Sequence, residues 1–310
     1  MSEPSDWQQL KVQLNADWAE RLSDHLTEVG AVSVTFADAA DTPIFEPEVG
    51  TTPLWQQTQV IALFDAATQL APLVDQLLNE SVWAQTVGLT RSDFQVERLP
   101  DQDWERAWMD DFHPMAFGDH LWIVPSGYPT PTQKGVHLYL DPGLAFGTGT
   151  HPTTALCLTW LDQKPPQDQT VIDYGCGSGV LALAAKKLGA HWVYGVDIDP
   201  QAITASQQNA ARNQVQIEFM STQAAEHLPA HQADCLLANI LAGPLTALLP
   251  TFQHLLRPQG TLILSGLLND QAARLIAHYQ QQGFECLAHQ KQDDWGLLHF
   301  RAPREPEATS

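Results

Sequence analysis

The amino-acid sequence predicts an α/β protein in which a mostly parallel, helix-covered sheet follows a smaller α+β domain. Strand-like and helix-like segments alternate regularly from residue 170 onward, a pattern that places helices on both faces of a parallel sheet. A glycine-rich loop joins the first of these strands to its helix. Residues 1–100 differ, because two helical segments are spread among four strand-like ones. We therefore predict two domains of different architecture.

Residues 1–100 are predicted to form a ferredoxin-like domain. Alternating apolar and polar side chains predict four strands, at Trp7–Leu14, Ala31–Phe36, Val60–Phe64 and Phe94–Leu99. Apolar residues at helical spacing predict two helices, at Trp18–Val29 and Leu70–Leu78. The resulting β-α-β-β-α-β order is that of the ferredoxin-like sandwich.

A linker helix is predicted at residues 101–115, because Trp104, Ala107 and Trp108 share one helical face. The second domain is predicted at residues 116–302, beginning with two short strands near 122–125 and 136–140. The polar residues 303–310 are expected to form a frayed tail.

The main sheet of the second domain is predicted to have seven strands. They are expected near 170–174, 192–197, 215–219, 233–238, 260–265, 284–290 and 296–301. Helices are expected near 179–188, 200–213, 244–256 and 270–282. The last two strands follow one another without a helix, so they form a hairpin and one strand of the sheet is antiparallel.

Charge argues against nucleic acid as a direct partner. The formal net charge is −21, and residues 1–150 hold 22 acidic and 6 basic residues, a net charge of −16. Phosphate binding needs clustered lysine and arginine, which this half lacks. An acidic field favours encounter with a basic partner, although charge of this kind also serves solubility alone.

A cytoplasmic protein without a membrane segment or a metal site is expected. No run of eighteen apolar residues is present, and the N-terminus lacks the basic-then-apolar order of a secretion signal. The four cysteines are widely spaced, with no pair at metal-ligand or redox-motif separation. They are expected to be reduced and mostly buried.

The glycine loop indicates the class of ligand. The first main-sheet strand runs into a loop with three alternating glycines, at Gly175, Gly177 and Gly179. Glycine lets the backbone turn sharply and lets a ligand approach closely. A dinucleotide-binding loop would have its third glycine at position 180, which holds Val180. An adenosyl ligand without a pyrophosphate is therefore favoured. The acidic residue that opens the loop, Asp173, resembles the first motif of class I methyltransferases, where it helps to organise the loop and the cofactor's amino group.

An acidic residue ends the second strand of the main sheet. Asp197 follows Gly175 by 22 positions, the separation expected for a carboxylate that binds both ribose hydroxyls. Asp199 precedes Pro200, and this pair is typical of a helix cap. The loop, the acid and the strand order together predict an adenosyl-binding fold.

Asn239 follows the fourth strand, where the fold places the reacting end of the ligand. Its amide oxygen can accept a hydrogen bond from an attacking amine and so direct the nitrogen lone pair. Alternatively, Asn239 is a turn residue that caps the helix after Pro244.

Two motifs identify a family. Leu140–Thr154, with the sequence LDPGLAFGTGTHPTT, resembles the signature of the PrmA family, bacterial methyltransferases that act on ribosomal large-subunit protein L11. The glycine loop, Asp197 and Asn239–Pro244, with the sequence NILAGP, match that family in order and spacing. The resemblance is specific from about residue 103 to 301 and looser over residues 1–100.

The resemblance implies a fold and an activity. The fold is the class I methyltransferase fold, a Rossmann-like seven-stranded sheet with one antiparallel strand. The small N-terminal domain is where this family recognises its substrate. The cofactor is S-adenosyl-L-methionine, and the reaction methylates amino groups, on lysine side chains and/or the N-terminal amine, of the basic ribosomal protein.

The resemblance also implies residue roles. Thr154 contacts the methionyl end of the cofactor, Gly175 lies beneath the cofactor with Gly177 in the same loop, Asp197 binds the ribose, and Asn239 sits beside the reacting amine.

The signature segment has its own physical logic. Pro152 starts a helix whose N-terminus attracts a carboxylate. The glycine-hinged segment before it carries Phe146, which can close over the cofactor. The alternative is a rigid turn that only joins a strand to the helix.

Two further residues have alternative interpretations. His151 is a candidate base, although a histidine in this position more often caps a helix. Trp295 could face a methylated cation, or be an aromatic core residue.

Three other functions are less consistent with these residues. Methyltransferases acting on a glutamine amide or a nucleic-acid base usually have Pro-Pro and an aromatic residue after the strand-four Asn or Asp, whereas Ile240, Leu241 and Ala242 follow here. Val180 argues against a nicotinamide oxidoreductase. The intact motifs argue against a non-catalytic scaffold.

Overall fold

The computed structural model describes residues 7–40, 53–99, 113–125, 127–131, 134–140 and 151–304. The chain divides into two compact units, Met1–Ala107 and Trp108–Ser310. No helix in the described ranges is both long and apolar enough to cross a membrane.

The first unit has the predicted ferredoxin-like topology. Its strands are β1 (Trp7–Asn15), β2 (Ser33–Asp38), β3 (Gln57–Asp65) and β4 (Phe94–Leu99), and its helices are α1 (Ala16–Glu28), α2 (Leu70–Glu80) and α3 (Val82–Val87). The strands form an antiparallel sheet in the order β2-β3-β1-β4. Alternation along β1 buries Leu10, Val12 and Leu14 in the core of this unit.

The second strand of this unit begins later than its sequence pattern predicts. Ala31 N donates to Leu26 O at 2.9 Å, so Ala31 belongs to the turn that ends α1. Gly30, with φ of +102°, makes that turn possible. The short helix α3, which ends at Gly88 in the left-handed conformation, was not predicted.

The second unit begins with a small sheet of β5 (Met115–Phe117), β6 (Leu121–Val124) and β7 (Val136–Tyr139). Residues 101–112 of the predicted linker helix, with Trp104 and Trp108, lie outside the described residues. The helix does not extend to 115, because Met115 pairs with Ile123 in an antiparallel hairpin. The buried Asp162 carboxylate holds the turn of this hairpin, accepting hydrogen bonds from Asp119 N at 2.7 Å and His120 N at 3.1 Å.

The main sheet has the seven predicted strands. They are β8 (Thr170–Tyr174), β9 (Trp192–Asp197), β10 (Glu218–Ser221), β11 (Ala233–Asn239), β12 (Leu256–Leu268), β13 (Glu285–Gln292) and β14 (Trp295–Arg301). The order is β10-β9-β8-β11-β12-β14-β13. Because β14 runs antiparallel to both of its neighbours, the predicted single antiparallel strand is confirmed.

Helices cover both faces of this sheet. They are α4 (Pro152–Gln163), α5 (Val180–Lys187), α6 (Pro200–Arg212), α7 (Thr222–Ala225), α8 (Ala242–Ala247), α9 (Leu249–Leu255) and α10 (Ala272–Gln280). Alternate residues of β11 enter two separate cores, Cys235 and Leu237 on one face and Leu236 and Ala238 on the other. Burial on both faces explains why the central strands are continuous apolar runs.

Two predicted elements differ in their bounds for local reasons. The strand predicted near 215–219 begins later, at Glu218 in β10. Val215 N donates to Ala210 O instead, which prolongs the end of α6. The helix predicted near 244–256 is divided into α8 and α9. Pro250, in the first turn of α9, has no N–H to continue the preceding helix.

A buried amide joins β7 to α6. Asn213 Oδ1 accepts from Tyr139 N at 2.8 Å, and its Nδ2 donates to Tyr139 O at 2.8 Å. The side chain therefore acts as a hydrogen-bonding partner for the last residue of the strand.

We expect Asn213→Ala to lower the free energy of unfolding by about 1–3 kcal/mol, because two part-buried backbone groups lose their partner. Urea denaturation measures this, with the exposed Gln208→Ala on the same helix as control, which should stay within about 0.5 kcal/mol of the parent. Equal effects of the two substitutions would contradict the role of the amide.

Candidate active site

The glycine loop between β8 and α5 has the backbone conformation that its composition predicts. Gly175, Gly177 and Gly179 have φ of +81°, +53° and +79°, values that side chains disfavour. The N–H groups of Gly175 and Cys176 donate to Val196 O on β9, at 2.7 and 3.0 Å. The loop is thereby attached to the neighbouring strand.

Side chains of α6 hold the other side of the loop. Ser206 Oγ donates to Gly177 O at 2.8 Å, and Asn209 Nδ2 donates to Ser178 O at 2.9 Å. Sequence reasoning missed both residues. The available signal was two small polar residues, one helical turn apart, on the face of α6 that also carries the buried Ala202 and Ala210.

Asp197 ends β9 and contacts the glycine loop. Its Oδ2 accepts from Gly177 N at 2.8 Å, and its Oδ1 accepts from Asp199 N at 2.9 Å. Each carboxylate oxygen can accept a further hydrogen bond, so the side chain retains capacity for two ligand hydroxyls. Asp199 caps α6 as expected, accepting from Gln201 N at 2.8 Å.

Asp173 is fully buried beneath the loop, at 1% exposure. Its Oδ2 accepts from Ala182 N at 2.9 Å, whereas its Oδ1 has no partner among the described residues. Burial raises the pKa of this carboxyl to about 7; the hydrogen bond from Ala182 lowers it, and the Asp197 charge adds to the rise. A buried acceptor without a partner is unusual and indicates a missing donor.

Asn239 and Thr154, which are 85 positions apart, meet at the end of β11. Asn239 Nδ2 donates to Thr154 Oγ1 at 3.1 Å. This contact uses the amide nitrogen and leaves the amide oxygen available as an acceptor. The interpretation of Asn239 as a helix cap is wrong, because Leu241 is the N-cap of α8.

His151 caps α4, on which Thr154 lies. Its Nδ1 accepts from Thr153 N at 3.3 Å and lies 2.8 Å from Thr153 Oγ1. Burial lowers the pKa of His151, which favours the neutral ring needed for this acceptor. Trp295 packs edge-on against His151, with ring centroids 4.8 Å apart. Phe146 and the rest of 141–150 lie outside the described residues.

Comparison with known proteins identifies the family. The model of the family described as ribosomal protein L11 methyltransferase (PrmA) matches residues 6–303. The chain belongs to the PrmA family.

Individual relatives agree with this assignment. A ribosomal protein L11 methyltransferase of Hydrogenovibrio crunogenus is 60% identical over 294 residues, covering 95% of this chain and 97% of the relative. One from Shewanella denitrificans is 52% identical over 297 residues, covering 94% and 98%. The crystal structure of a ribosomal protein L11 methylase from Lactobacillus delbrueckii subsp. bulgaricus is similar, with a TM-score of 0.58 and 32% identity, covering 62% of this chain and all of that one.

The PrmA family implies S-adenosylmethionine as cofactor, and the site fits it. The unpartnered Asp173 Oδ1 suits an ammonium donor, and the open acceptor positions of Asp197 suit ribose hydroxyls. At Gly175 an added Cβ would overlap Ile240 Cγ2. Position 175 therefore has to remain glycine.

We expect the affinity for S-adenosylhomocysteine to fall as the pH drops below about 7, the native pKa of Asp173. The ligand's α-amino group is protonated below about 7.7 and pairs with the ionised carboxylate, which protonation removes. Calorimetry from pH 5.5 to 7.5 measures this, and Asp173→Asn should remove the dependence. A wild-type affinity that is constant over this range would contradict the assignment.

Without ligand, a lower pH has the opposite effect: it stabilises the folded protein through Asp173, whereas it weakens the binding of the ligand. Because the pKa of Asp173 is raised from 3.8 to about 7 on folding, the native state keeps a proton that the unfolded chain loses. The stabilisation that protonated Asp173 gives to the folded state is therefore fully present below about pH 4 and is lost as the pH rises to about 7.

Proposed function

We propose that this protein transfers methyl groups from S-adenosylmethionine to amino groups of ribosomal protein L11, on lysine side chains and/or the N-terminal amine. Membership of the PrmA family supports the substrate. The contact between Asn239 and Thr154 is the observation that carries the chemistry. It orients an amide at the strand end where the fold directs the reacting group.

When bound, S-adenosylmethionine supplies a methyl group on a positively charged sulfur, which keeps the electron pair of the broken C–S bond as a neutral thioether. The chain's residues have to align a neutral amine with that carbon. Thr154 Oγ1 accepts a hydrogen bond from the Asn239 amide nitrogen. The amide oxygen of Asn239 then faces the amine and can accept a hydrogen bond from its N–H. The amide oxygen would thereby hold the amine with its nitrogen lone pair directed at the methyl carbon that the cofactor supplies.

No dedicated base is needed for this chemistry. A lysine amine has an ordinary pKa of about 10.4, so neutrality at pH 7 costs about 4–5 kcal/mol, which partial desolvation reduces. The proton leaves to water. His151 uses its Nδ1 as a helix cap, so we assign it a structural role.

The remaining cofactor contacts follow the geometry of the loop. We assign Gly175 and Gly177 to the floor of the site, Asp197 to the ribose and Asp173 to the amino group. Thr154, in the first turn of α4, lies at a helix N-terminus that attracts the methionyl carboxylate. Phe146 lies on the glycine-hinged segment of the signature motif, and we propose that it covers the cofactor.

The first unit is proposed to recognise the substrate, in the cytoplasm. Residues 1–107 hold 18 acidic and 5 basic residues, a net charge of −13, which favours encounter with a basic ribosomal protein. All four cysteines are free, consistent with a reducing compartment.

The proposal is tested by incubating the protein with methyl-labelled cofactor and purified L11, followed by mass mapping of the product. We expect label on lysine side chains or the N-terminal amine. Label on glutamine amides would contradict the proposed substrate group, and absence of label would reject the function.

Asn239→Ala should lower methyl transfer about 100-fold, because the amine is no longer aligned, while cofactor affinity stays within a few-fold. Single-turnover assays and calorimetry separate the two effects, with Gln208→Ala as control. A variant that loses cofactor affinity but transfers at the parent rate would remove Asn239 from the reacting centre.

The electrostatic proposal is tested on the exposed face of α1. We expect the triple variant Glu20→Lys, Asp24→Lys and Glu28→Lys to raise KM for L11 and to weaken its dependence on salt, with little change in kcat. The matched neutral variants, with Gln or Asn at the same positions, should show intermediate values. An unchanged salt dependence would reject steering by this face.

A further inference from the structure

A bulge in β12 lies beside the proposed reacting centre, because Ser265 pairs with Asn239 in the sheet. The register between β12 and β14 shifts between Leu264 and Leu267, which sets Ser265 and Gly266 apart from the regular ladder. Bulges of this kind are frequent beside active sites, because they redirect a strand locally.

The bulge contacts the residue that follows Asn239. Ile240 N donates to Ser265 O at 3.2 Å. Gly266 has φ of +83°, and a Cβ on it would overlap the backbone of Ile240. The turn after Asn239 therefore rests on a position where only glycine leaves room.

The same bulge contacts the helix that carries Thr154. Ser265 is fully buried, and its Oγ lies 3.2 Å from Thr153 O and 3.0 Å from Gly296 O. Its single hydroxyl hydrogen is thus shared between the first turn of α4 and strand β14. No sequence motif singles out this serine.

We infer that Ser265 and Gly266 are positioning residues for methyl transfer, which hold Asn239 and Thr154 at their contact distance. The inference rests on the proposed function, because it concerns the same reacting centre. Asn239 and Thr154 come from separate elements, and the bulge bonds to the backbone next to each of them. A misplacement of about 1 Å at a reacting centre can cost about 100-fold in rate, so the pair requires a rigid support.

Ser265→Ala tests the inference, because it removes only the shared hydroxyl. We expect kcat for L11 methylation to fall at least tenfold, with KM for the cofactor changed less than threefold. Ser206→Ala provides the contrast: Ser206 is also fully buried, and its hydroxyl supports the glycine loop. It should raise KM for the cofactor and change kcat less.

Tyr279→Phe is the control for losing any buried hydroxyl. Tyr279 is fully buried, and its hydroxyl donates to Leu245 O at 2.7 Å. It should lower the thermal midpoint as Ser265→Ala does, while kcat stays within twofold of the parent.

Ser265→Thr, which restores a hydroxyl, should recover kcat relative to Ser265→Ala. Ser265→Cys, a substitution of similar volume with a weaker donor, gives an intermediate kcat and replaces the alanine variant if that variant does not fold. A parent-like kcat in the alanine or cysteine variant, or an equal loss in Tyr279→Phe, overturns the positioning role. Failure of the parent protein to methylate L11 rejects the proposed function itself.

Discussion

The parallel pairing of β8 with β9 and β11 is the constraint on which the whole site depends. Parallel strands end at the same edge of a sheet, so the residues that follow them converge there. Asp197 and Asn239 are the last residues of their strands, and the glycine loop follows β8 directly. A change in strand order would separate these groups, even if each element kept its conformation.

Loops at this edge are held by side chains that take the place of backbone partners. Ser206 and Asn209 bond the carbonyls of the glycine loop, and Asn213 bonds both polar groups of Tyr139. Such bonds satisfy buried backbone groups where no strand or helix continues. Asp173 Oδ1 is one of six buried side-chain atoms that lack a partner among the described residues, and we propose that the cofactor's amino group is its partner.

Most elements of the fold could be predicted from the apolar pattern, because burial on one or both faces imposes its period directly on the sequence. Three short elements, α3, β5 and α7, were not predicted; the other errors lie at element ends. The late starts of β2 and β10 arise where a helix C-terminus extends by one backbone hydrogen bond, as at Ala31 and Val215. The division between α8 and α9 arises from Pro250. These differences depend on which backbone groups hydrogen-bond locally, and the spacing of apolar residues does not predict that.

The sequence by itself determined the class of the protein. It predicted the alternating strands and helices and the glycine loop. It also singled out Asp173, Asp197 and Asn239 as candidate site residues. Only the tertiary structure decided which groups touch: that Asn239 uses its amide nitrogen on Thr154, and that Ser265 supports both. The reason is that spacing along a chain encodes local period and turn conformation. Contacts between residues 85 and 112 positions apart depend on strand order and register, which the packing of the whole sheet sets.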